Sequence, residues 1–245
     1  LGRTVLPRGL LFYIKILYHI SMRRNFSFSI NEYYHIYNRG TDKRIIFLEP
    51  YDYSRFIILL HLCNSRIPVD IEKFLREGRS FPELINIVID DRLVHIGAYV
   101  LMPNHFHILV KEINENGISL FMKKLSTAYS MYFNKKYERS GNLFQGIFKA
   151  KHAEKDEYLK YLFAYIHLNP VKLIDPYWKE NKIKDKNKAE EYLLDYKHSS
   201  YLDYLNLERN ENKILNISSF PEYFLDKNFG DFINDWLSYQ EEALG

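Results

Sequence analysis

The chain has 245 residues, 47% of them apolar, and a formal net charge of +3. That length and apolar content support one sizeable packed domain with extensions and exclude wholesale disorder. The near-balanced charge excludes a bulk polycation, so any nucleic-acid contact must come from local Lys and Arg clusters, and the lone Cys63 excludes an internal disulfide or a multi-cysteine zinc site.

Residues 1–24 read as an N-terminal extension of uncertain role. Leu10 to Ile20 is apolar but interrupted by Lys15 and His19, and no small-residue cleavage site follows, so no signal peptide is expected. No stretch reaches the roughly 20 apolar residues of a membrane span, and a cytoplasmic protein is the expectation. Tyr33 to Asn38 alternates in type before the turn signal Asn38-Arg39-Gly40, which predicts a strand. Pro50 opens an amphipathic helix over about 51–63, where Phe56, Ile57, Leu60 and Cys63 share a face. Residues 64–92, with Pro68, Gly78 and Pro82, read as an insertion of two short helices.

Val94 to Leu101 predicts a second strand with Val94, Ile96, Ala98 and Val100 on one face. After Met102-Pro103-Asn104, His105 to Lys111 predicts a third strand, closing a hairpin. Ile118, Phe121, Met122, Leu125, Tyr129, Tyr132 and Phe133 recur at helical spacing. Asn142 to Lys151 reads as a fourth strand, and Asp156 can cap a helix that Pro170 ends near Leu168. The order predicts an α+β, ferredoxin-like βαββαβ antiparallel sheet with helices on one face and a catalytic helix after the last strand. The other face, or its rim, is left for a ligand. Residues 25–175 form the expected catalytic domain. Residues 176–245 form a mostly helical C-terminal extension, charged at Lys179 to Glu191 and broken near Asn216 to Pro221.

Chemistry gathers in two places. Side chains two apart on a strand point the same way, so His105 and His107 project from one face while Phe106, Ile108 and Val110 anchor the other. Two imidazoles so placed can share a metal ion; the plain alternative is two partly exposed histidines without a role. In the helix, Tyr161, Tyr165 and Asn169 follow at four-residue spacing and form one stripe. If that stripe faces the sheet, Asn169 can lend its amide oxygen to the same ion, beside the Tyr165 phenol. The alternatives are a helix C-cap for Asn169 and ordinary ring packing for Tyr165. Mixed nitrogen and oxygen ligands without a carboxylate suit Mn²⁺ well and Mg²⁺ adequately, and leave charge for an anionic substrate.

These residues carry a resemblance. Met102-Pro103-Asn104-His105-Phe106-His107 and Tyr165-Ile166-His167-Leu168-Asn169-Pro170 resemble the REP-associated tyrosine transposases, of the single-tyrosine HUH endonucleases. The likeness takes in Gly141 to Gly146, Phe148 to Lys151 and His198-Ser199-Ser200-Tyr201, and so spans roughly 33–204; the insertion at 64–92 and residues 205–245 depart from the pattern. It implies cleavage and joining of single-stranded DNA through a 5′-phosphotyrosine. Tyr165 would be the nucleophile, and His105, His107 and Asn169 would hold a divalent Mg²⁺ or Mn²⁺. Hairpin-forming or repeat DNA is the implied partner, with a homodimer left open.

Tyr129, Tyr132 and Tyr137 are rival nucleophiles, without an amide or carboxylate four residues on. Candidate DNA contacts are Lys149 and Lys151 on one face of the fourth strand, Arg39 after the first, and Lys123 and Lys124 on the long helix. For each, a solvated surface charge is the plain alternative. Two other functions stay open: a catalytically idle DNA- or RNA-binding regulator on the same fold, and an RNA-recognition sheet that stacks bases on exposed rings. Most of the 21 tyrosines and 17 phenylalanines are accounted for by core packing.

Overall fold

A computed structural model describes residues 27–181, 183–224, 229–230 and 232–233. The N-terminal extension and most of the predicted tail beyond Phe224 lie outside the described residues. Four strands form one sheet: β1 (Tyr33–Arg39), β2 (Val94–Met102), β3 (His105–Glu112) and β4 (Lys149–His152). Their spatial order is β2-β3-β1-β4, every neighbouring pair antiparallel. This is the ferredoxin-like topology, and the fold is α+β.

Helix α1 (Pro50–Leu62) starts on a proline at its first turn, with Glu49 and Asp52 closing a capping box. The insertion holds two short helices, α2 (Ile71–Arg76) and α3 (Phe81–Ile85), as the prolines and glycine suggested. The long helix α4 (Gly117–Lys136) packs with α1 on one face of the sheet. Phe56 of α1 lies 5.0 Å from the Phe106 ring and 4.9 Å from Tyr129 of α4, centroid to centroid. Helix α5 (Asp156–Leu168) lies against the opposite face, where the His107 and Tyr165 ring centroids are 5.3 Å apart. The second face is therefore not bare: the catalytic helix of the sequence reading covers it.

Three expectations need correction. Val94, Ile96, Ala98 and Val100 do not share a face, because the register shifts between Ile96 and Ala98. Val94 and Ile96 pair with Glu112 and Val110, whereas Ala98 and Val100 pair with Leu109 and His107. The extra residue is Gly97, a β-bulge that reverses the parity of the strand. A side chain there would collide with Phe220, whose ring comes within 2.5 Å of an added Cβ. Second, β4 begins at Lys149 rather than near Asn142. Gly141 and Gly146 both have positive φ, and the segment between them turns past the end of β1, with Gln145 N–H donating to Arg39 O. Third, the hairpin turn is two residues, Pro103 and Asn104, not three.

The C-terminal extension contributes α6 (Trp178–Asn181), α7 (Lys186–Asp195) and α8 (Tyr201–Tyr204), then short 3-10 turns. Residues 198–200 run along the free edge of β2: Leu101 N–H donates to His198 O, and Ser200 N–H to Tyr99 O. An otherwise open sheet edge is thereby paired. Ser200 Oγ also lies 2.8 Å from His167 Nε2, tying α5 to that edge. Cys63 is buried, and burial pushes its thiol up to about 11, an inert state.

His167 is fully enclosed, and burial pushes its pKa down from 6.5 to about 3. Between those values the unfolded chain binds a proton that the folded chain refuses. The histidine's contribution is thus intact above 6.5 and is lost as pH falls through that window. Burial raises Asp203 to about 7, and its contribution runs the opposite way. The difference between wild type and His167→Gln isolates the histidine. From about pH 7 to about pH 5 the wild type should lose more thermal stability than His167→Gln. Equal losses in parallel melting curves would contradict this.

Candidate active site

Pairing across the sheet brings the predicted residues together. Arg39 sits opposite His105, and Tyr37 opposite both His107 and Lys149. Directly opposed residues share a face, so one row reads Val100, His107, Tyr37, Lys149. The parity that buries Phe106 and Ile108 against α1 and α4 thus turns both histidines toward α5. The His105 and His107 ring centroids lie 5.0 Å apart, with planes at 89°. His107 is 7% exposed, and His105 is half-buried.

From α5, the Tyr165 ring meets His107 edge-on and stacks on Tyr161 at 6.1 Å. Asn169 follows at the end of the helix. It keeps helical angles (φ −54°, ψ −37°) and leads into a 3-10 turn, Asn169–Leu173, with Pro170 in its first positions. It is thus the C-cap of the helix, as its place before proline allowed, with its side chain lining the cavity described next. Its Oδ1 is buried and has no hydrogen-bond partner of normal geometry among the described residues. A buried acceptor without a donor is costly unless a ligand satisfies it.

A cavity of about 270 Å³ joins these groups, lined by His105, His107, Tyr165, Asn169, Tyr37 and Asn38. Arg39, Lys149, Lys172, Gln145 and Trp178 complete the lining, so three cations and no carboxylate face it. Burial, reinforced by Arg39 and Lys172, pushes His105 down to about 4, against a smaller upward pull from Asn169. At neutral pH the imidazole is unprotonated, the form that can ligate a metal. Burial raises the Tyr165 phenol above its ordinary value, partly offset by Asn169. No group of three His, Cys, Asp or Glu among the described residues could hold a metal ion. Other oxygen-bearing side chains beside His105 and His107 in the cavity are Asn169, Asn38, Gln145, Tyr37 and Tyr165.

Other predicted residues fare differently. Lys151 shares the Lys149 face but lies over the Tyr158 ring, 4.3 Å from its centroid, and does not line the cavity. Lys123 and Lys124 are on α4, which packs on the opposite face. Lys123 lines a separate groove with Phe28 and Phe148, and Lys124 Nζ donates to Ser65 O. The rival tyrosines are also on that side, and their hydroxyls are engaged. Tyr129 donates to Ile46 O, while Tyr132 and Tyr137 both donate to Asp52. Against burial that would raise it, Lys136, these two tyrosines and Leu48 N–H hold the Asp52 carboxyl below its ordinary value. The open stacking platform of an RNA-recognition sheet is absent among the described residues, because α5 covers that face.

Sequence reasoning missed His35, Tyr37, Gln145, Lys172 and Trp178. The signal for the first two was available: His35, Tyr37 and Arg39 alternate on one face of β1. The other three come from loops or from the extension, where no periodicity points them inward.

Residues 61–169 match the family model described as Transposase IS200 like. That match spans 109 of the 245 residues, less than half of the chain. It runs from the end of α1 through the histidine hairpin and stops at Asn169, so β1 lies outside it. A search of curated proteins found no match. A solved structure described as the REP-associated tyrosine transposase bound to a REP hairpin is similar at 16% identity, with a TM-score of 0.42. That likeness covers 77% of this chain and 88% of the other.

If Tyr132 serves Asp52 rather than the chemistry, Tyr132→Phe should lower unfolding stability by about 1–2 kcal/mol, the cost of a hydrogen bond to a buried charge. Denaturant unfolding checks this; an unchanged midpoint would show the Asp52 network to be slack.

Proposed function

We propose that the protein is a metal-dependent single-stranded DNA endonuclease and strand transferase acting through a 5′-phosphotyrosine on Tyr165. One observation carries this reading. A phenol, two imidazoles and a buried amide converge on a cavity faced by three cations and no carboxylate. The donor set fits a divalent ion such as Mn²⁺ or Mg²⁺, held by His105, His107 and Asn169. When bound, the ion supplies charge neutralisation at the scissile phosphate.

The chain's own residues do the rest. Arg39, Lys149 and Lys172 bind and orient phosphate oxygens. Because burial raises its pKa, Tyr165 rests as a neutral hydroxyl, and its proton must leave as the oxygen attacks. The Tyr165 oxygen–phosphorus bond forms as the phosphorus–3′-oxygen bond breaks, and the leaving oxygen takes a proton to become a 3′-hydroxyl. The 5′ end stays on Tyr165 until a second 3′-hydroxyl attacks the phosphotyrosine and releases the phenol. Hairpin-forming or repeat DNA is the substrate that the sequence resemblance implies.

Incubated with a single-stranded oligonucleotide and Mn²⁺, the wild type should form a covalent adduct that EDTA suppresses. Tyr165→Phe should abolish the adduct and leave binding in place. An adduct that survives this change would overturn the nucleophile, and one indifferent to EDTA would overturn the metal. Wild-type binding without any adduct is the result expected of a regulator that no longer cuts. Separately, Lys149→Ala should lower the slope of log affinity against log salt by about one unit, read by anisotropy titration. An unchanged slope would mean that Lys149 touches no phosphate.

A further inference from the structure

His35 has no part in the chemistry above, yet it is built into the site. It is 7% exposed, and its Nε2 lies 2.7 Å from His107 Nδ1. The two rings stack with centroids 4.9 Å apart and planes at 26°. Between two ring nitrogens, one must donate and the other accept. If His35 donates, His107 accepts at Nδ1 and carries its own proton on Nε2, where it cannot ligate. If His35 accepts, the His107 proton is on Nδ1 and the Nε2 lone pair is left for an ion.

His105 is held in the second way by an unambiguous partner. Its Nδ1 lies 2.6 Å from Asn104 Oδ1, while Asn104 Nδ2 donates to Lys43 O at 3.1 Å. That second bond sets the amide orientation, so an oxygen faces His105, and an amide oxygen only accepts. His105 therefore carries its proton on Nδ1 and presents Nε2. For the two imidazoles to serve one ion, His107 must take the same tautomer.

We infer that His35 is a positioning residue which accepts the Nδ1 proton of His107 and so fixes the ligating tautomer of that imidazole. This rests on the metal reading proposed above. His35 does not itself complete an ion site: its Nε2 is turned to His107, and no three such side chains among the described residues could hold a metal. Partners of this kind, which orient a ligating imidazole through its other nitrogen, typically alter metal affinity by about ten- to a hundredfold when removed.

The test measures Mn²⁺ affinity without DNA, from the EPR signal of free Mn²⁺, alongside melting temperature. His107→Ala should abolish the tight site; if it does not, the metal reading itself fails and the inference falls with it. If His107→Ala abolishes binding, His35→Phe should weaken Mn²⁺ affinity by about tenfold or more. His35→Gln, which restores an acceptor oxygen near the Nε2 position, should recover most of that loss. Wild-type affinity in His35→Phe, or equal impairment in both variants at unchanged melting temperature, would overturn the role of His35. Ring-nitrogen NMR of isotopically labelled histidine in the wild type needs no substitution. The inference requires His107 to be protonated on Nδ1, and protonation on Nε2 would refute it.

Discussion

Two-residue alternation along β3, locked by pairing with β2 on one side and β1 on the other, is the constraint on which the site depends. Phe106, Ile108 and Val110 are fully buried on the face shared with α1 and α4. That leaves His105 and His107 only the opposite face. A slip of one residue would bury two imidazoles among phenyl rings and expose three core side chains. Burial of roughly 1.5–3 kcal/mol per large apolar side chain opposes that slip. The hydrophobic core thus aims the histidines, with no polar contact needed to choose their direction. The Gly97 bulge serves the same end on β2. It lets Val94 and Ile96 face one layer while Ala98 and Val100, small enough to sit beneath α5, face the other.

Electrostatics then define what the cavity can accept. Burial works against protonated His105 and against ionised Tyr165, so both rest neutral. Arg39, Lys149 and Lys172 remain as the charges around them. A cavity with cations and no carboxylate on its wall favours an anionic substrate, and phosphate oxygens would add negative charge beside an ion held there.

Much of this was legible in the sequence. Parity placed His105 with His107, and four-residue spacing placed Tyr165 with Asn169, because both follow from local backbone geometry alone. The order of elements was enough to give the ferredoxin-like sheet. Three things were not legible. A bulge at Gly97 cannot be separated by pattern from regular alternation when Val94, Ile96, Ala98 and Val100 are all apolar. The face that α5 covers depends on how a helix after the last strand crosses the sheet, which no periodicity encodes. Lys123 and Lys124 looked as eligible as Lys149, since charge alone carries no direction. What distinguishes Lys149 is its pairing with Tyr37, a contact between residues far apart in the chain.

His35 belongs to the same lesson. It reads as one more residue of an alternating strand until β1 is set beside β3. The central claim is convergence on one cation, and the most direct measurement is anomalous diffraction from crystals soaked in Mn²⁺. The account predicts a single strong peak in the cavity, bounded by His105, His107 and the Asn169 amide oxygen, with the Tyr165 hydroxyl beside it. An empty cavity, or a peak held by other residues, would contradict it.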